Sequence, residues 1–494
     1  MNARASGKSV RRNVIWNVVG QVVPLAVALF CIPLTIKGLG NERFGALSIV
    51  WTLLVYFGFL DLGLGRSLMQ LLAKHEGNDK EEAVLIWTNF AVIGILGAAA
   101  GIFLFAATPL VASRLLHLQG PLEVETLRAL RLFALGLPLL IHDTALRGVL
   151  EAKRRFDLSN RIRIGSGIFT YVAPLLVIPF TQDLAVVVGT MLLGRVAAWG
   201  LDFWMVLRVL PHLGSNAGWE PRRIPGFLKS GVWYLVPTAV GPMLNSMDRF
   251  FISGLLSISV VAYYVTPYEM VSKLWILSAG ISGVAFMEFS ARFHKNPVEA
   301  RILMLRGLRY TLAALFPVVL IVVAYAHEGL SLWLKNPAFA DAGAPVLRWL
   351  AVFALIGAIG HIVNSFLLGA GRANLIARIQ VLELPLHAGL LFILLKADGI
   401  RGAAIASVIR ITVDLILLLA FAGPMLRFSA KTYAKILVPL VLCLGILFVV
   451  GLPLPLLSKT MMVAAVFAGH LVVSWWRVLE QKDRTRLRHL IGRA

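Results

Sequence analysis

Between residues 245 and 273 the sequence sets Asn245, Asp248, Arg249, Glu269 and Lys273 into two apolar runs. An ion at membrane depth costs roughly 2.5–3.5 kcal/mol on insertion scales, so ions retained there point to substrate or ion handling. Asp248 and Arg249 are adjacent, and on a helix their side chains diverge by about 100°. Each therefore calls for a partner on another helix or for a wet cavity. Glu269 and Lys273 are four apart and share a helix face, as do Arg410 and Asp414, and Glu383 and His387, so intrahelical pairing is open to all three. Asp61, Arg128, Arg131, Asp143, Arg195, Asp202 and Arg348 complete the set of ions inside apolar runs. Cations at several depths, Arg249, Arg131, Arg348, Lys273 and Arg410 among them, suit an anionic cargo moving along a route. The bland alternative is an aqueous vestibule at the helix ends, where such charges cost little.

The elements that must position these residues are membrane spans. The 494 residues are 59% hydrophobic and 15% charged, outside the range of soluble domains. A span needs about 20 apolar residues. Such segments fall at 14–36, 45–70, 83–107, 127–147, 162–180, 184–208, 226–252, 257–290, 303–326, 343–369, 376–395, 400–422, 433–450 and 456–476. The formal charge is +22, yet its distribution argues against nucleic acid. With alternate loops on alternate sides, about 33 of the 47 basic residues gather on one face, which makes both termini cytoplasmic. "AVA" at 26–28 resembles a signal-peptidase site, but the apolar run continues through Pro33 and reads as an uncleaved span. Cys31 and Cys443 lie in separate oily runs and form no disulfide framework or thiolate metal site.

An internal repeat recurs at about 216 residues. "TIKGLGNERFGALSIV" (35–50) aligns with "FISGLLSISVVAYYVT" (251–266), and "LEAKRRFDLSNRI" (150–162) aligns with "LGAGRANLIARI" (368–379) if one gap is admitted. The expected fold is an all-α membrane protein of about 14 transmembrane helices, in two pseudo-symmetric six-helix lobes around a central cavity plus two C-terminal helices. The expected parts are an N-lobe at 1–215, a C-lobe at 216–428, and a helix pair with a basic cytoplasmic tail at 429–494. Pro24, Gly63, Gly65 and Pro242 interrupt apolar runs and are the expected hinges.

No GxxxxGK[ST] stretch offers a cradle for ATP phosphates, and no HExxH or Cys-rich zinc spacing occurs, so a resident metal or cofactor and an enzymatic role are not expected. The stretches "GLGNERFGALSIVWTLLVYFGFLDLGLGRSLMQLLAK" (38–74), "RGVLEAKRRFDLSN" (147–160) and "NSMDRFFISGLLSISVVAYY" (245–264) resemble bacterial oligosaccharide flippases of the Wzx type. These form the polysaccharide-transporter branch of the multidrug/oligosaccharidyl-lipid/polysaccharide exporter superfamily. The resemblance implies alternating-access transfer of an undecaprenyl-diphosphate-linked oligosaccharide across the bacterial plasma membrane, for O-antigen, capsule or exopolysaccharide synthesis.

It further implies a cavity lined by the first, second, seventh and eighth spans, bringing in Asn17, Gln21, Asp61, Asn245, Asp248, Arg249, Glu269 and Lys273. Arg249 and Lys273, with Arg131 and Arg348, would meet diphosphate or sugar as charge-assisted donors. Asp248, Glu269 and Asp61, with Asp414 and Arg410, would carry a coupling proton or balance charge. Coupling to protons or sodium and to the membrane potential is expected, with membrane lipids and downstream polymerase or ligase proteins as partners. The rivals are a multidrug/cation antiporter of the same superfamily and a membrane-embedded glycosyltransferase or polymerase. The first favours acidic over basic cavity residues, and the second needs larger outer loops than those around Glu123, Glu125 and Asp341.

Overall fold

The computed structural model describes residues 3–57, 64–65, 68, 71–72, 75, 77–116, 118–153, 155–214, 218–223, 240–278, 282, 289, 296–452 and 455–478, with the backbone alone for 3–22 and a few other positions. Its regular structure is all helical among these residues. Contacts divide the chain into two compact units, Met1–Ala262 and Tyr263–Ala494.

The first unit holds α1 (Ala3–Phe57), α2 (Asp79–Pro109, continued by a π-helical stretch Leu110–Leu115), α3 (Pro121–Ala152), α4 (Phe156–Val177), α5 (Leu184–Val209) and the short α6 (Met247–Leu255). Helix α7 (Ile258–Ser272) crosses the division. The second unit holds α8 (Pro297–Ala324), α9 (Ala326–Leu334), α10 (Pro337–Gly369), α11 (Ala373–Met425), α12 (Ala430–Val450) and α13 (Leu456–Val473). Among the described residues seven helices are long and apolar enough to cross a membrane. In that set α10 has 78% of its apolar window buried and α13 only 11%, so α10 is the core of its unit and α13 faces outward. The protein is a multi-pass membrane protein.

The expected break between the first two spans is not an open loop. Helix α1 runs through it, and only Gly40 leaves helical geometry, at φ 76° and ψ 170°. Helix α11 joins two expected spans in the same way, turning at Asp398 and at Gly399, where φ is 55°. Both glycines adopt positive φ, which costs an L side chain about 1–3 kcal/mol. Just beyond the first bend Arg43 forms a bidentate pair with Glu125 near the start of α3, with Nε to Oε2 and Nη2 to Oε1 both at 2.8 Å. The backbone N–H of Leu184 adds a third donor to Glu125, 3.4 Å from Oε2.

Lipid supplies little hydrophobic drive between helices, so close backbone approach must do the packing. "GAAAG" at 97–101 shows this: a Cβ at Gly97 would stand 2.7 Å from the Pro138 Cα, and one at Gly101 would stand 2.7 Å from the Ala134 carbonyl oxygen. The two glycines, four apart on one face of α2, lay that helix against α3.

The repeat is visible in the turns. Asn78 and Asn296 cap α2 and α8, each accepting a backbone N–H with its side chain, and Pro121 and Pro337 open α3 and α10. After α3, Arg155 N–H donates to Leu150 and Leu158 N–H to Arg155; after α10, Arg372 N–H donates to Leu367 and Leu375 N–H to Arg372. These equivalences pair Lys153 with Ala370 and Arg155 with Arg372, so the gap admitted in the sequence alignment is unnecessary. The other aligned pair also agrees, since Gly40 falls opposite Leu256, the residue that ends α6.

Replacing Gly40 by Ala should lower the thermal midpoint by several degrees, whereas Gly94→Ala, in open space inside α2, should be neutral or stabilising; fluorescence-monitored melting in detergent reads both. Glu125 supplies a pH signature, because its hydrogen bonds from Arg43 hold its carboxyl below the usual range. A depressed carboxyl stabilises fully above its unfolded value and loses that contribution as pH falls through the folded one. The midpoint difference between wild type and Glu125→Gln should therefore be present at neutral pH and close on acidification.

Candidate functional site

Helix α6 is nine residues long because the chain breaks on either side of it, at the Asn245–Ser246 turn and at Leu256. Pro242 sits in the helical turn just before that break, and Ser246 Oγ donates to its carbonyl at 2.7 Å. Asp248 and Arg249 occupy the first turn of α6 and are 2% and 5% exposed. Asp248 Oδ1 accepts the backbone N–H of Arg249 at 2.9 Å, at the helix start. The Arg249 guanidinium donates through Nη1 to Thr52 Oγ1 on α1 at 2.6 Å. Asn245 is half-buried beside the pair.

Glu269 and Lys273 close the intrahelical pair expected of them, at 2.9 Å, near the end of α7. The expected Arg410–Asp414 pairing takes a wider form. Arg410 Nη1 lies 3.4 Å from Glu383 Oε2, across the Gly399 bend, and its guanidinium stands 5.8 Å over the Phe353 ring. Asp414 is half-buried and joins the same electrostatic cluster. His387 is fully buried in α11.

The remaining expected residues scatter. Arg131 is exposed and lies 5.2 Å from the Phe105 ring, a surface cation–π contact between α3 and α2. Arg348 lines a cavity inside the second unit whose walls do not include Glu269 or Lys273. Asp61 and Gly63 lie outside the described residues, and for Asn17 and Gln21 only the helical backbone of α1 is described. Pro24 is accommodated in α1, close to Gly167 of α4. Gly65 touches α3 backbone to backbone, its carbonyl oxygen 2.9 Å from where a Gly148 Cβ would stand.

Asp143, Arg195 and Asp202 stand out in the sequence one by one; Arg147, which joins two of them, does not. Arg147 on α3 pairs with Asp143 one turn earlier and reaches Asp202 on α5, with Nε 3.8 Å from Oδ2. Asp202 is fully buried. On α5, Arg195 donates to Thr170 Oγ1 of α4 at 3.2 Å. The four-residue spacing of Asp143 and Arg147 was readable; the partner on α5 was not.

Long helices broken at glycine and proline, with ions paired inside them, define the chain as a polytopic membrane transporter fold. That fold is shared with a multidrug-resistance transporter of the MATE family in its inward-facing conformation, at TM-score 0.70 and 15% identity over 84% of this chain and 100% of that one. It is shared equally with the lipid II flippase MurJ in an inward closed conformation, at TM-score 0.71 and 12% identity over 94% and 98%. By sequence the chain belongs to the polysaccharide biosynthesis protein family, whose description matches residues 10–290, and residues 243–393 also match the MatE family. A candidate O-antigen transporter of Shigella flexneri is 25% identical over 415 residues, covering 83% of this chain and 97% of that protein.

Truncating Arg147 to Ala removes the cation shared by half-buried Asp143 and fully buried Asp202, a loss of about 3–5 kcal/mol. The variant should be recovered as aggregate in size-exclusion chromatography. Adding Asp143→Asn and Asp202→Asn should restore part of the monodisperse peak.

Proposed function

We propose that this chain is a flippase that carries an undecaprenyl-diphosphate-linked oligosaccharide repeat unit from the cytoplasmic to the outer leaflet of the bacterial plasma membrane, by alternating access, for cell-surface polysaccharide synthesis. The observation that carries the reading is family membership over residues 10–290, joined by likeness along most of the chain to a candidate O-antigen transporter. The chemistry of the described ions agrees. Arg249 is held at a helix break with a neutral hydroxyl as one partner, and at that place a helix start and a guanidinium both favour anions. In this reading Arg249 and Lys273 are donors to the diphosphate, and Asp248 and Glu269 balance charge. Both termini lie in the cytoplasm, as the loop charges favour.

The energetics suit a transporter without ATP. Two negative charges moving outward across an inside-negative membrane gain at most about 4.6 kcal/mol per 100 mV. A proton or sodium gradient would add to this, with Glu269, Asp248 or the Glu383–Arg410–Asp414 cluster as the titrating groups. Polymerase or ligase proteins would then consume the product.

The test is flipping in proteoliposomes. Lipid-linked oligosaccharide is loaded in one leaflet and its arrival in the other is timed, for wild type, Arg249→Ala, Arg249→Lys and Thr52→Val. Arg249→Ala should slow transfer by at least about tenfold, the equivalent of one lost charge-assisted contact, with Arg249→Lys intermediate and Thr52→Val close to wild type. Transfer untouched in Arg249→Ala would make the arginine structural. Movement of organic cations in place of the lipid would give the case to the antiporter.

A further inference from the structure

The second unit contains an open cavity of about 550 Å³, within the range of about 300–1,000 Å³ typical of small-molecule sites. Its walls come from α8, α10, α11 and α12, and they carry two charged residues, both cationic. Arg348 enters from α10, and Arg401 enters from the first turn of α11 beyond the Gly399 bend. From Arg348 the α10 wall runs through Val352 to Ile356, about 12 Å along the helix at 1.5 Å per residue, and Val408 and Phe448 continue the apolar lining. Thr412 is also on the wall, but its hydroxyl already donates to the Val408 carbonyl at 2.7 Å, so it asks for no polar ligand. Arg348 Nε is buried and has no hydrogen-bond partner among the described residues.

Two arginines and an otherwise apolar lining are the two parts of a site for an amphiphile with an anionic head. Free phosphate would waste the lining, and a neutral lipid would leave the arginines unanswered. The charge count narrows the choice further. Asp398 lies 3.5 Å from Arg401 and offsets one of the two cations, leaving a single net positive charge. That matches a phosphodiester, with its one negative charge, better than a diphosphate.

We propose that this cavity binds an anionic phospholipid of the surrounding bilayer, its phosphate between Arg348 and Arg401 and the upper part of an acyl chain along Val352, Ile356, Val408 and Phe448. Basic pockets between transmembrane helices hold anionic headgroups by this chemistry, each guanidinium contributing about 1 kcal/mol near the surface. The cavity walls do not include Lys273, and the site stands whether or not the chain is a flippase.

The experiment places the purified full-length protein in phosphatidylcholine nanodiscs and titrates in phosphatidylglycerol, reading the thermal midpoint and, by native mass spectrometry, the lipid retained per chain. Wild type should gain several degrees and retain one phosphatidylglycerol in preference to phosphatidylcholine. Arg401→Gln, a change at a side chain that is 54% exposed, should weaken the preference about fivefold, the worth of one surface cation, and Arg348→Gln with Arg401→Gln should abolish it. Asp398→Asn should strengthen it, a gain that a damaged fold does not produce. Equal retention of the two lipids by wild type, or a preference that survives the double substitution, overturns the proposal. So does displacement of phosphatidylglycerol by an equimolar polyprenyl diphosphate, which would assign the cavity to that lipid class.

Discussion

Charge inside an apolar bundle has to be answered close by, and that requirement organises both halves of this molecule. In the first unit Arg147 stands between Asp143 and Asp202, so one cation from α3 meets one carboxylate on its own helix and one on α5. In the second, Arg410 meets Glu383 across the Gly399 bend of α11. Each arrangement ties two helical segments together, because removing any one ion would strand another away from water. The repeat makes the contrast informative. At a spacing of about 217 residues, Ser166 and Thr170 of α4 fall opposite Glu383 and His387 of α11. At the position opposite His387 the first unit places the Thr170 hydroxyl, which accepts from Arg195. One backbone plan therefore carries two different electrostatic interiors.

Packing follows from the same solvent. With no water to expel between helices, contact area must come from close approach, and the small residues lie where the helices touch most tightly. Gly97 and Gly101 set α2 on α3, and Gly148 meets the Gly65 carbonyl. These contacts pack the helices of the first unit closely. The breaks occur elsewhere, at Gly40, at the Asn245–Ser246 turn, at the turn after Ser272 and at Gly399. A transporter needs both properties, rigid bodies to hold a site and a few joints to re-aim it, and here they fall on different residues. Of the expected hinges Pro242 lies beside a break, while Gly65 lies in a packed contact.

How far the sequence could be read follows the same division. Apolar runs located α5, α11 and α12 within a few residues, and the repeat located the shared turn after α3 and α10, because both signals are local. The Glu269–Lys273 pair was readable for the same reason, being set by helical spacing alone. Arg249 with Thr52 and Arg410 with Glu383 were not, since their partners lie far along the chain and depend on how each helix is rotated against its neighbours. Rotation also explains Arg131, which counts as buried from its apolar surroundings but points outward onto Phe105. A helical period gives the faces of a helix without saying which face meets which neighbour.

The C-terminal pair shows what an element with no repeat partner needs in order to stay. Helices α12 and α13 expose most of their length, so apolar burial inside the protein holds them weakly. Polar anchors do more. Lys459 is 6% exposed and reaches Glu328 on α9 at 2.7 Å, and His470 meets the Ala313 carbonyl of α8 at 2.9 Å. Lys459 is buried while Glu328 stays partly exposed, so a lysine that would be costly alone becomes a fastener once its carboxylate is in place. The anchors hold the pair to α8 and α9, and α12 in turn closes one wall of the Arg348 cavity. An appended helix pair that did nothing would not require a buried ion to attach it; here the attachment builds a wall, and the wall gives two arginines a lipid-sized space to face.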